Sequence, residues 1–396
     1  MTTLGDLAIE GGIQTGPFGS QLHASDYADH GVGVVMPQDL GDNVVRQNAM
    51  ARVPSATAAE LSRHRLRPGD IVFSRRGDVT RRSLIRESDG ELICGTGCLR
   101  VRLDIEKADP IFVSYAMAMQ ESRDWLIRHA VGATMPNLNT GILSQLPVRT
   151  PRLQVQRSIG EVLGALDDKI AGNNRAINLG RDLLRVAWDG GVDENGKNLR
   201  LKDVVTVNPR LAKSEHAEPA YVDMKALPER GLLISESDHR KAKGGARFMC
   251  GDTLMARITP CFENGKMAYV DVLDDGEVGY GSTEFIVFRS AEGVPSAVPY
   301  VVVASAEFRK FAARSMIGTS GRQRVQAKGL EDFELRWPDD QKLAEFGEFS
   351  DALLGRLGSA RDENLRLAAT RDELLPLLMS GKITVKDAEK TVEEVV

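Results

Sequence analysis

The sequence predicts an α/β (α+β) fold in which two tandem mixed α/β domains alternate with two long helices that form an antiparallel coiled coil. Three observations predict this fold. The two halves of the 396-residue chain match in order, both halves contain short strand patterns separated by Gly and Pro turns, and each half ends in a long helical pattern. With 42% hydrophobic and 27% charged residues, the chain has the composition of an ordinary globular protein of two or three domains.

The internal repeat is clearest at two pairs of strand patterns. The segment GDIVFSR at 69–75 resembles GDTLMAR at 251–257, and both indicate a Gly-Asp turn that leads into a strand ending in arginine. Further along, GTGCLRVRL at 95–103 resembles GSTEFIVFR at 281–289. Because the matches keep their order, the chain is predicted to contain two copies of one folding unit.

The predicted domain boundaries follow from this repeat. Within each domain we expect one helix, at 110–130 and at 299–316, where apolar residues recur at spacings of three and four. The predicted division of the chain is a first domain at 1–150, a central helix at 151–187, a linker at 188–200, a second domain at 201–337, a distal helix at 338–382 and a C-terminal tail at 383–396.

Both long helices carry a narrow apolar seam with alternating spacings of three and four residues. The first seam comprises Leu163, Leu166, Ile170, Asn173, Ile177, Gly180 and Leu184, and the second comprises Leu353, Leu357, Ala360, Asn364, Leu367, Arg371, Leu374 and Leu378. One asparagine lies in each seam, and an amide at such a position fixes the register of a helix pair at a cost in stability. A twofold repeat predicts that the two helices are antiparallel.

Basic residues are concentrated in two islands, although the net charge of the chain is −5. Eight arginines lie within 63–86 against Asp70 and Asp78, and residues 309–328 contain six basic residues and no acidic one. The segment 339–396 instead has thirteen acidic and eight basic residues. Since nucleic-acid affinity depends on local basic surface, the islands are candidate DNA contacts, and ordinary solvated surface is the alternative.

The length of the first long helix is similar to the length of one turn of DNA, so the helix could set the distance between two DNA-binding domains. About 21 residues between Leu163 and Leu184, at roughly 1.5 Å each, span on the order of 32 Å. One turn of B-DNA is roughly 34 Å long. Two basic domains held at such a distance would reach successive turns of a duplex. The alternative is that the helices form a plain structural pair or an oligomerisation coil.

Several motifs together resemble the specificity (S) subunit of type I restriction-modification systems, and the resemblance covers nearly the whole chain. They are TGPFGSQL at 15–22, ARITPCFENGK at 256–266, GYGSTEFIV at 279–287, GALDDKIAGNNRAINLGRDLL at 164–184 and RDELLPLLMSGKI at 371–383. The resemblance implies two tandem target recognition domains, each reading one half of a bipartite asymmetric DNA sequence. It also implies an antiparallel coiled coil that docks two modification (methyltransferase) subunits.

The same resemblance assigns the chemistry to partner subunits. The methyltransferase subunits would carry S-adenosylmethionine and methylate adenine, and a restriction subunit would use ATP and Mg²⁺. This chain itself would carry no cofactor and no metal. Because the sequence has no run of eighteen apolar residues and no signal-peptide pattern, we also expect it to contact no membrane and to work in the cytoplasm. A self-contained DNA adenine methyltransferase and a structural adaptor that does not bind DNA are the alternative functions.

The residues offer no support for catalysis by this chain alone. The acidic or amide residue followed by Pro-Pro and an aromatic residue, which an adenine methyltransferase needs, does not occur. The segment GVDENGKN at 191–198 imitates the glycine and lysine spacing of a phosphate-binding loop, but it ends in Asn rather than Ser or Thr and contains two acids. The cysteines lack zinc-site spacing, and the histidines form no i,i+4 pair.

The residues expected to contact DNA are polar or cationic groups in loops near strand ends. In the first domain they are Gly19, Ser20, Gln21, Arg75, Arg76, Arg81, Arg82, Asn137 and Asn139, and in the second they are Arg257, Thr259, Arg322, Gln323, Arg324 and Lys328. Guanidinium forks suit guanine edges and phosphates, and amides suit adenine. Because most contacts in such interfaces go to the backbone, the sequence leaves open which arginines contact bases.

Overall fold

The computed structural model divides the chain into two compact units, residues 1–168 with 367–396 and residues 169–366. The residues that the structure describes are 2–19, 21–47, 50–132, 134–192, 196–241, 244–319 and 321–394. Among them, no helix combines the length and the apolar character that crossing a membrane requires.

Short strands in three small sheets form the body of the first unit. They are β1 (Thr2–Thr3), β2 (Ala8–Thr15), β3 (Val32–Val35), β4 (Ala51–Val53), β5 (Ile71–Ser74), β6 (Arg82–Leu84), β7 (Leu92–Cys94), β8 (Cys98–Leu103) and β9 (Pro147–Val148). The sheet orders are β2-β8-β5-β6, β4-β3-β7 and β1-β9. All pairs are antiparallel except β3 with β7.

Five short α-helices in the described part of residues 2–150 accompany these sheets. They are α1 (Leu4–Leu7), α2 (Ser55–Glu60), α3 (Pro110–Ala116), α4 (Gln120–His129) and α5 (Thr140–Ser144). The single helix predicted at 110–130 is wrong, because a turn separates α3 from α4. The carbonyl of Ala116 accepts a hydrogen bond from the hydroxyl of Ser122 at 2.8 Å and from the N–H of Met119 in the turn at 3.3 Å, so that a side chain and a tight turn satisfy the end of α3.

The long helix α6 (Leu153–Gly191) follows. It extends into the segment expected as a linker because Trp188 near its end is 7% exposed and lies edge-to-face against Trp337 and Phe346, with ring centroids 5.7 and 5.2 Å apart. Burial of large aromatic rings in such contacts stabilises the last turns of the helix. At the end of this segment, Lys197–Arg200 form a strand rather than a free linker.

The second unit repeats the strand arrangement of the first, with one additional strand in the sheet that contains the parallel pair. Its strands are β10 (Lys197–Arg200), β11 (Val205–Val207), β12 (Ala220–Val222), β13 (Asp238–His239), β14 (Ala246–Phe248), β15 (Thr253–Ala256), β16 (Met267–Tyr269), β17 (Gly279–Gly281), β18 (Phe285–Ser290) and β19 (Glu334–Trp337). The sheet orders are β11-β18-β15-β16, β13-β12-β17-β14 and β10-β19. The parallel pair of this unit is β12 with β17, as β3 with β7 is in the first.

Two helices of the second unit correspond to the broken helix of the first. They are α7 (Val298–Ala304) and α8 (Ala306–Ala313). The single helix predicted at 299–316 is therefore also wrong. Ser305 has an extended backbone that ends α7, and its side chain accepts a hydrogen bond from the N–H of Phe308 at 3.1 Å, which caps the start of α8.

The same buried ion pair occurs in both units. Arg102 holds Asp70 through two hydrogen bonds of 2.6 and 2.7 Å, and Arg289 holds Asp252 through two of 2.7 Å. Each carboxylate is 1% exposed and follows a glycine turn at the start of the matching strand. A bidentate pair satisfies a buried carboxylate well, so the pair holds the turn in place in each copy of the internal repeat.

The chain ends with the long helix α9 (Asp340–Ser380) and with α10 (Val385–Glu393), which lies in the segment expected as a tail. A capping box between Thr384 and Asp387 begins α10. Within the second unit, Asn173 of α6 bonds to Asn364 of α9, and Gly180 of α6 faces Leu357. Positions rise along α6 as they fall along α9, so the two helices are antiparallel there.

Candidate nucleic-acid interface

The end of strand β5 brings three distant segments of the first unit together. The backbone N–H of Arg75 donates to the carbonyl of Gly97, and the carbonyl of Arg75 accepts from the N–H of Leu138, both at 2.8 Å. The next residue, Arg76, forms a β-bridge with Asn137. These backbone bonds place Arg75, Arg76 and Asn137 side by side. Arg76 is exposed, and the other two residues are half-buried.

A hairpin holds Asn137 in this position. The N–H of Val131 donates to the carbonyl of Asn137 at 3.0 Å, and the N–H of Asn137 donates to the carbonyl of Val131 at 2.9 Å. Val131 is 64% exposed and Met135 is 61% exposed, so the hairpin presents apolar side chains to solvent beside an amide. Exposed aliphatic groups of this kind suit contact with a thymine methyl group or with an opened base step.

The loop after β2 lies against Arg75. The guanidinium carbon of Arg75 is 5.6 Å from the ring centroid of Phe18, which is 53% exposed. The side-chain oxygen of Gln21 accepts a hydrogen bond from the N–H of Phe18 at 3.2 Å and shapes the loop. Gly19 and Gln21 are exposed, whereas Ser20 lies outside the described residues. Gly19 and Gln21 thus lie in the same loop as Phe18, which contacts Arg75.

Arg82 has a structural role inside the first unit. It is 4% exposed, its Nε donates to the carbonyl of Ser114 at 2.6 Å, and its Nη1 donates to Asp42 at 3.1 Å. Burial lowers the pKa of Arg82. This placement corrects the expectation of a surface position, because Arg82 begins a strand, β6, whose residues are all buried. Arg82 is therefore not part of the candidate interface.

Arg81 and Asn139 are partly engaged within the unit. Arg81 donates to the carbonyl of Leu40 and, at 3.2 Å, to that of Gln38. The side-chain oxygen of Asn139 accepts from the N–H of Ile142 at 2.8 Å and caps α5. Asn139 is nevertheless exposed, and the cap uses its oxygen rather than its NH₂ group.

The second unit builds the same junction at the end of β15. The N–H of Arg257 donates to the carbonyl of Glu284 at 2.9 Å, and the carbonyl of Arg257 accepts from the N–H of Val325 at 2.8 Å. Ile258 forms a β-bridge with Arg324. These contacts repeat, one by one, those at the end of β5. Arg257 and Arg324 therefore lie together in the second unit as Arg75 and Asn137 do in the first.

A second hairpin holds Arg324. Its N–H donates to the carbonyl of Ile317 at 2.9 Å, and the N–H of Ile317 donates back at 3.0 Å. Ile317 is 68% exposed, like Val131 in the first unit. The hydrogen-bonding pattern makes Ile317 the equivalent of Val131 and Arg324 the equivalent of Asn137.

Thr259 and Gln323 form a paired contact next to this hairpin. The N–H of Thr259 donates to the carbonyl of Gln323, and the N–H of Gln323 donates to the hydroxyl of Thr259, both at 3.0 Å. Thr259 is buried, so its hydroxyl holds the loop rather than facing solvent. Arg322 and Lys328, on either side, are exposed.

Glu284 adds an acidic group to the basic surface of the second unit. Its carboxylate accepts hydrogen bonds from Nε of Arg324 at 2.9 Å and from Nη2 at 2.8 Å, and it lies 4.0 Å from Nε of Arg257. Hydrogen bonding to this carboxylate raises the pKa of Arg324. In the first unit, Gly97 occupies the equivalent position, because it accepts the same backbone hydrogen bond from Arg75.

Three features of these surfaces are not among the sequence predictions. They are the exposed ring of Phe18, the carboxylate of Glu284, and the exposed aliphatic pair Val131 and Ile317. The segment GSTEFIV contains an acid and its counterpart GTGCLRV contains none, which is a signal for Glu284. The other features depend on hairpins that only the folded chain defines.

The segment GVDENGKN at 191–198 connects its neighbouring elements in the opposite order to a phosphate-binding loop. α6 ends at Gly191 and β10 begins at Lys197, so a helix precedes a strand, whereas a phosphate-binding loop leads from a strand into a helix. Residues 193–195 lie outside the described residues. Across the part of the chain that the structure describes, no three His, Cys, Asp or Glu side chains come together as a metal site would require.

Comparison with protein families identifies part of the chain. Residues 62–179 match the family model of the type I restriction modification DNA specificity domain. The EcoEI type I specificity subunit of Escherichia coli is 25% identical over 224 residues, which cover 54% of this chain and 37% of that protein. The EcoAI type I specificity subunit of Escherichia coli is 29% identical over 200 residues, covering 49% of this chain and 34% of that protein. The matches thus span about a third of each relative.

A solved structure shares the fold over nearly the whole chain. The S subunit of the type I restriction-modification system from M. genitalium superposes with a TM-score of 0.56 and 14% identity, covering 95% of this chain and 94% of that one. At this identity the likeness concerns the fold. The predicted fold class and the predicted resemblance to type I specificity subunits are confirmed by these comparisons.

Proposed function

The chain carries a type I restriction modification DNA specificity domain at residues 62–179 and resembles type I specificity subunits, and from this premise we propose that it is a sequence-specific DNA-binding subunit. The observation that carries the proposal is a repeated junction. In each unit, the end of one strand presents an arginine beside a hairpin residue with a polar side chain, Asn137 in the first unit and Arg324 in the second.

Each unit would read one half of a bipartite DNA sequence. The side chains at equivalent positions differ between the units, as an amide and a guanidinium do at Asn137 and Arg324. Because these groups prefer different base edges, the two half-sites are expected to differ in sequence. The distance between the half-sites, which the sequence suggests is set by the long helices, stays a prediction.

Partner subunits would perform the chemistry. Two methyltransferase subunits would dock on the helical coiled coil and methylate adenine with S-adenosylmethionine, and a restriction subunit, where the host has one, would supply the activity that depends on ATP and Mg²⁺. This chain would then act as a non-catalytic recognition subunit in the cytoplasm. The basis for this division of labour is the family resemblance together with the absence from the sequence of the adenine methyltransferase motif.

Long-read sequencing of methylated adenines in host DNA tests the proposal. The parent strain, a strain without this gene and a complemented strain are compared. Methylation at one bipartite asymmetric motif should be lost with the gene and return on complementation. An unchanged methylation pattern in the deletion strain would contradict the proposal.

Two measurements on the purified chain test the alternative functions. A self-contained methyltransferase would transfer methyl groups from S-adenosylmethionine to DNA without partners, and we expect no transfer. A structural adaptor would show no DNA binding that depends on salt. A protein that neutralises phosphates instead loses affinity steeply as salt rises, because bound counterions are released from DNA.

A further inference from the structure

Asn137 and Arg324 occupy the same place in the two copies of the fold. Each exchanges two backbone hydrogen bonds with an exposed aliphatic residue, Val131 in the first unit and Ile317 in the second. Each also forms a β-bridge with the residue one position after the strand-end arginine. A backbone held on both sides in this way fixes where the side chain starts. The side chains of Asn137 and Arg324 therefore start from equivalent points on the two surfaces, and the difference between them changes what each surface can bind at that point.

The guanidinium of Arg324 is oriented by Glu284. Nε donates to the two carboxylate oxygens at 2.9 and 3.1 Å, and Nη2 donates to Oε1 at 2.8 Å. The carboxylate therefore occupies the edge of the guanidinium that contains Nε. The opposite edge consists of Nη1 and the second hydrogen of Nη2. Nη1 also donates a long hydrogen bond of 3.5 Å to the carbonyl of Arg322. Because Nη1 has two hydrogens, it can still form with Nη2 the fork that matches O6 and N7 of guanine.

The carboxylate also affects which of its two usual DNA partners, a phosphate or a guanine base, Arg324 can bind. A phosphate carries a negative charge, and Glu284 bound directly to the guanidinium would repel it. The edge of a guanine base is neutral, so the same carboxylate costs little there and restricts the side chain to one orientation. An arginine that served only to hold a phosphate would gain nothing from Glu284. The pair is thus suited to reading a base.

The first unit has a matching change at both positions. Gly97 lies where the second unit has Glu284, and Asn137 lies where it has Arg324. A neutral amide needs no counter-charge, so the loss of the carboxylate and the loss of the guanidinium go together. The NH₂ group of a side-chain amide can donate to N7 of adenine while its oxygen accepts from the N6 amino group.

We infer that Asn137 and Arg324 are base-reading residues at equivalent positions, Asn137 for an adenine in one half-site and Arg324 for a guanine in the other, and that Glu284 is a positioning residue for Arg324. This inference rests on the proposed function, since it presupposes that each unit contacts one half-site. It adds the kind of base at one position of each half-site and the residue that determines it.

Three substitutions test the inference, each introduced on a plasmid into the host strain that lacks the gene. They are Arg324→Lys, which keeps the charge and removes the fork, Glu284→Gln, which keeps the size and removes the charge, and Asn137→Asp, which removes the donor. Matched controls on the exposed ion pair and strand of the second unit are Arg200→Lys, Asp332→Asn and Asn198→Asp. Methylated motifs are read by long-read sequencing. Binding of each purified variant is measured by fluorescence anisotropy with duplexes that carry every single base-pair change in the wild-type motif.

Arg324→Lys and Glu284→Gln should both lower discrimination at one G·C pair of one half-site, roughly tenfold to a hundredfold, and leave the other half-site unchanged. Asn137→Asp should lower discrimination at one A·T pair of the other half-site. The controls should keep the wild-type motif. A melting temperature equal to that of the wild type shows that a variant has folded, and Glu284→Ala, which also removes the carboxylate, replaces Glu284→Gln if the latter unfolds.

The outcomes separate this inference from the proposed function. If the wild-type chain directs methylation to a bipartite motif but Arg324→Lys leaves every base preference intact, the inference is wrong and the function stands. The same conclusion follows if Glu284→Gln only raises affinity for all DNA sequences, as expected when Arg324 binds a phosphate. If the wild-type chain directs no methylation, the proposed function itself fails.

Discussion

The side-chain amide of Asn173 on α6 donates a hydrogen bond of 3.0 Å to the side-chain oxygen of Asn364 on α9. The same amide donates to Glu363 at 2.6 Å, and Asn364 donates to the oxygen of Asn174 at 3.0 Å. The asparagines of the two seams therefore lie opposite each other. Most other seam positions are occupied by leucine, isoleucine, alanine or glycine. A displacement of one helix by a turn would leave these amides against apolar side chains, and that alternative pairing is therefore disfavoured.

Substitutions of Asn173 should show whether its amide stabilises the helix pair or only fixes the register of the two helices. We expect Asn173→Ala to lower the free energy of unfolding by about 1–2 kcal/mol, because its hydrogen bonds are removed and Asn364 keeps only part of its own. The double variant Asn173→Leu, Asn364→Leu should instead be at least as stable as the wild type, since two apolar residues then meet in the seam. Urea denaturation measures both effects, with Gln341→Ala at an exposed position of α9 as the control. Destabilisation of the double variant beyond that of the single one would contradict a register role.

Glu363 should make the stability of the helix pair depend on pH. The hydrogen bond from Asn173, followed by the contact with Lys169, lowers the pKa of Glu363 below its ordinary value. A carboxylate whose pKa is lowered by folding contributes stability that is fully present above the unfolded pKa and is lost as pH falls through the folded pKa. The difference in stability between the wild type and Glu363→Gln should therefore shrink as the pH is lowered from about 6 to about 3. Urea denaturation at several pH values checks this, and a constant difference would argue against it.

Much of the architecture can be predicted because it depends on repeated local patterns. The Gly-Asp turns before β5 and β15 and the apolar seams of α6 and α9 are visible in the sequence. The breaks after α3 and α7 are not, since the apolar pattern runs through them. Each is marked by a serine hydroxyl, which bonds to the last carbonyl of α3 in the first unit and caps the start of α8 in the second. Where periodicity and capping disagree, capping determines the structure.

The position of the candidate site is more predictable than its chemistry. Arg75 and Arg257 lie directly after their strands, one residue beyond the predicted strand ends, because the repeat fixes their place in the sequence. Arg82 lies in the same basic island as Arg75, but its strand turns it inward, and a count of charges contains no information about direction. The role of Glu284 depends on a contact with Arg324 across 40 residues, which no local pattern contains.

Asp167 should be essential for the stability of the first unit. This carboxylate on α6 is 3% exposed and accepts hydrogen bonds from Asn43 at 3.0 Å, from the hydroxyl of Tyr115 at 2.5 Å and from Arg371 of α9 at 2.6 Å. Burial, followed by the nearby Asp167 carboxylate, raises the pKa of Tyr115. We expect Asp167→Ala to cost about 3 kcal/mol, because it leaves a buried guanidinium and two buried polar groups without this acceptor.

The neighbouring residue on α6 provides the control for Asp167. The side chain of Asp168 is 72% exposed and contacts Arg86, which also lies 3.5 Å from Asp167 and so keeps a carboxylate partner when Asp168 is removed. An ion pair with a solvent-exposed carboxylate contributes little. Asp168→Ala should therefore cost less than about 1 kcal/mol. Chemical denaturation of both variants makes the comparison, and equal losses would show that the buried contacts of Asp167 are not what stabilises the unit.

Removal of the strand-end arginines should affect one half-site at a time. Arg75 and Arg76 lie in the first unit beside Phe18 and Asn137, and Arg257 lies at the equivalent junction of the second unit. Arg75→Ala with Arg76→Ala should weaken binding to the half-site read by the first unit. The slope of log affinity against log salt should fall by about one for each phosphate that the variant no longer neutralises. Arg257→Ala should do the same for the other half-site.

Duplexes that carry only one intact half-site distinguish the effects of these arginine substitutions. Binding is measured by fluorescence anisotropy, and Arg157→Ala at an exposed arginine of α6 serves as the control. Each variant should bind the half-site of the unaltered unit as the wild type does. A repeated interface implies that each unit reads its own half-site. If either substitution lowered the affinity for both half-sites equally, the two units would not bind DNA independently.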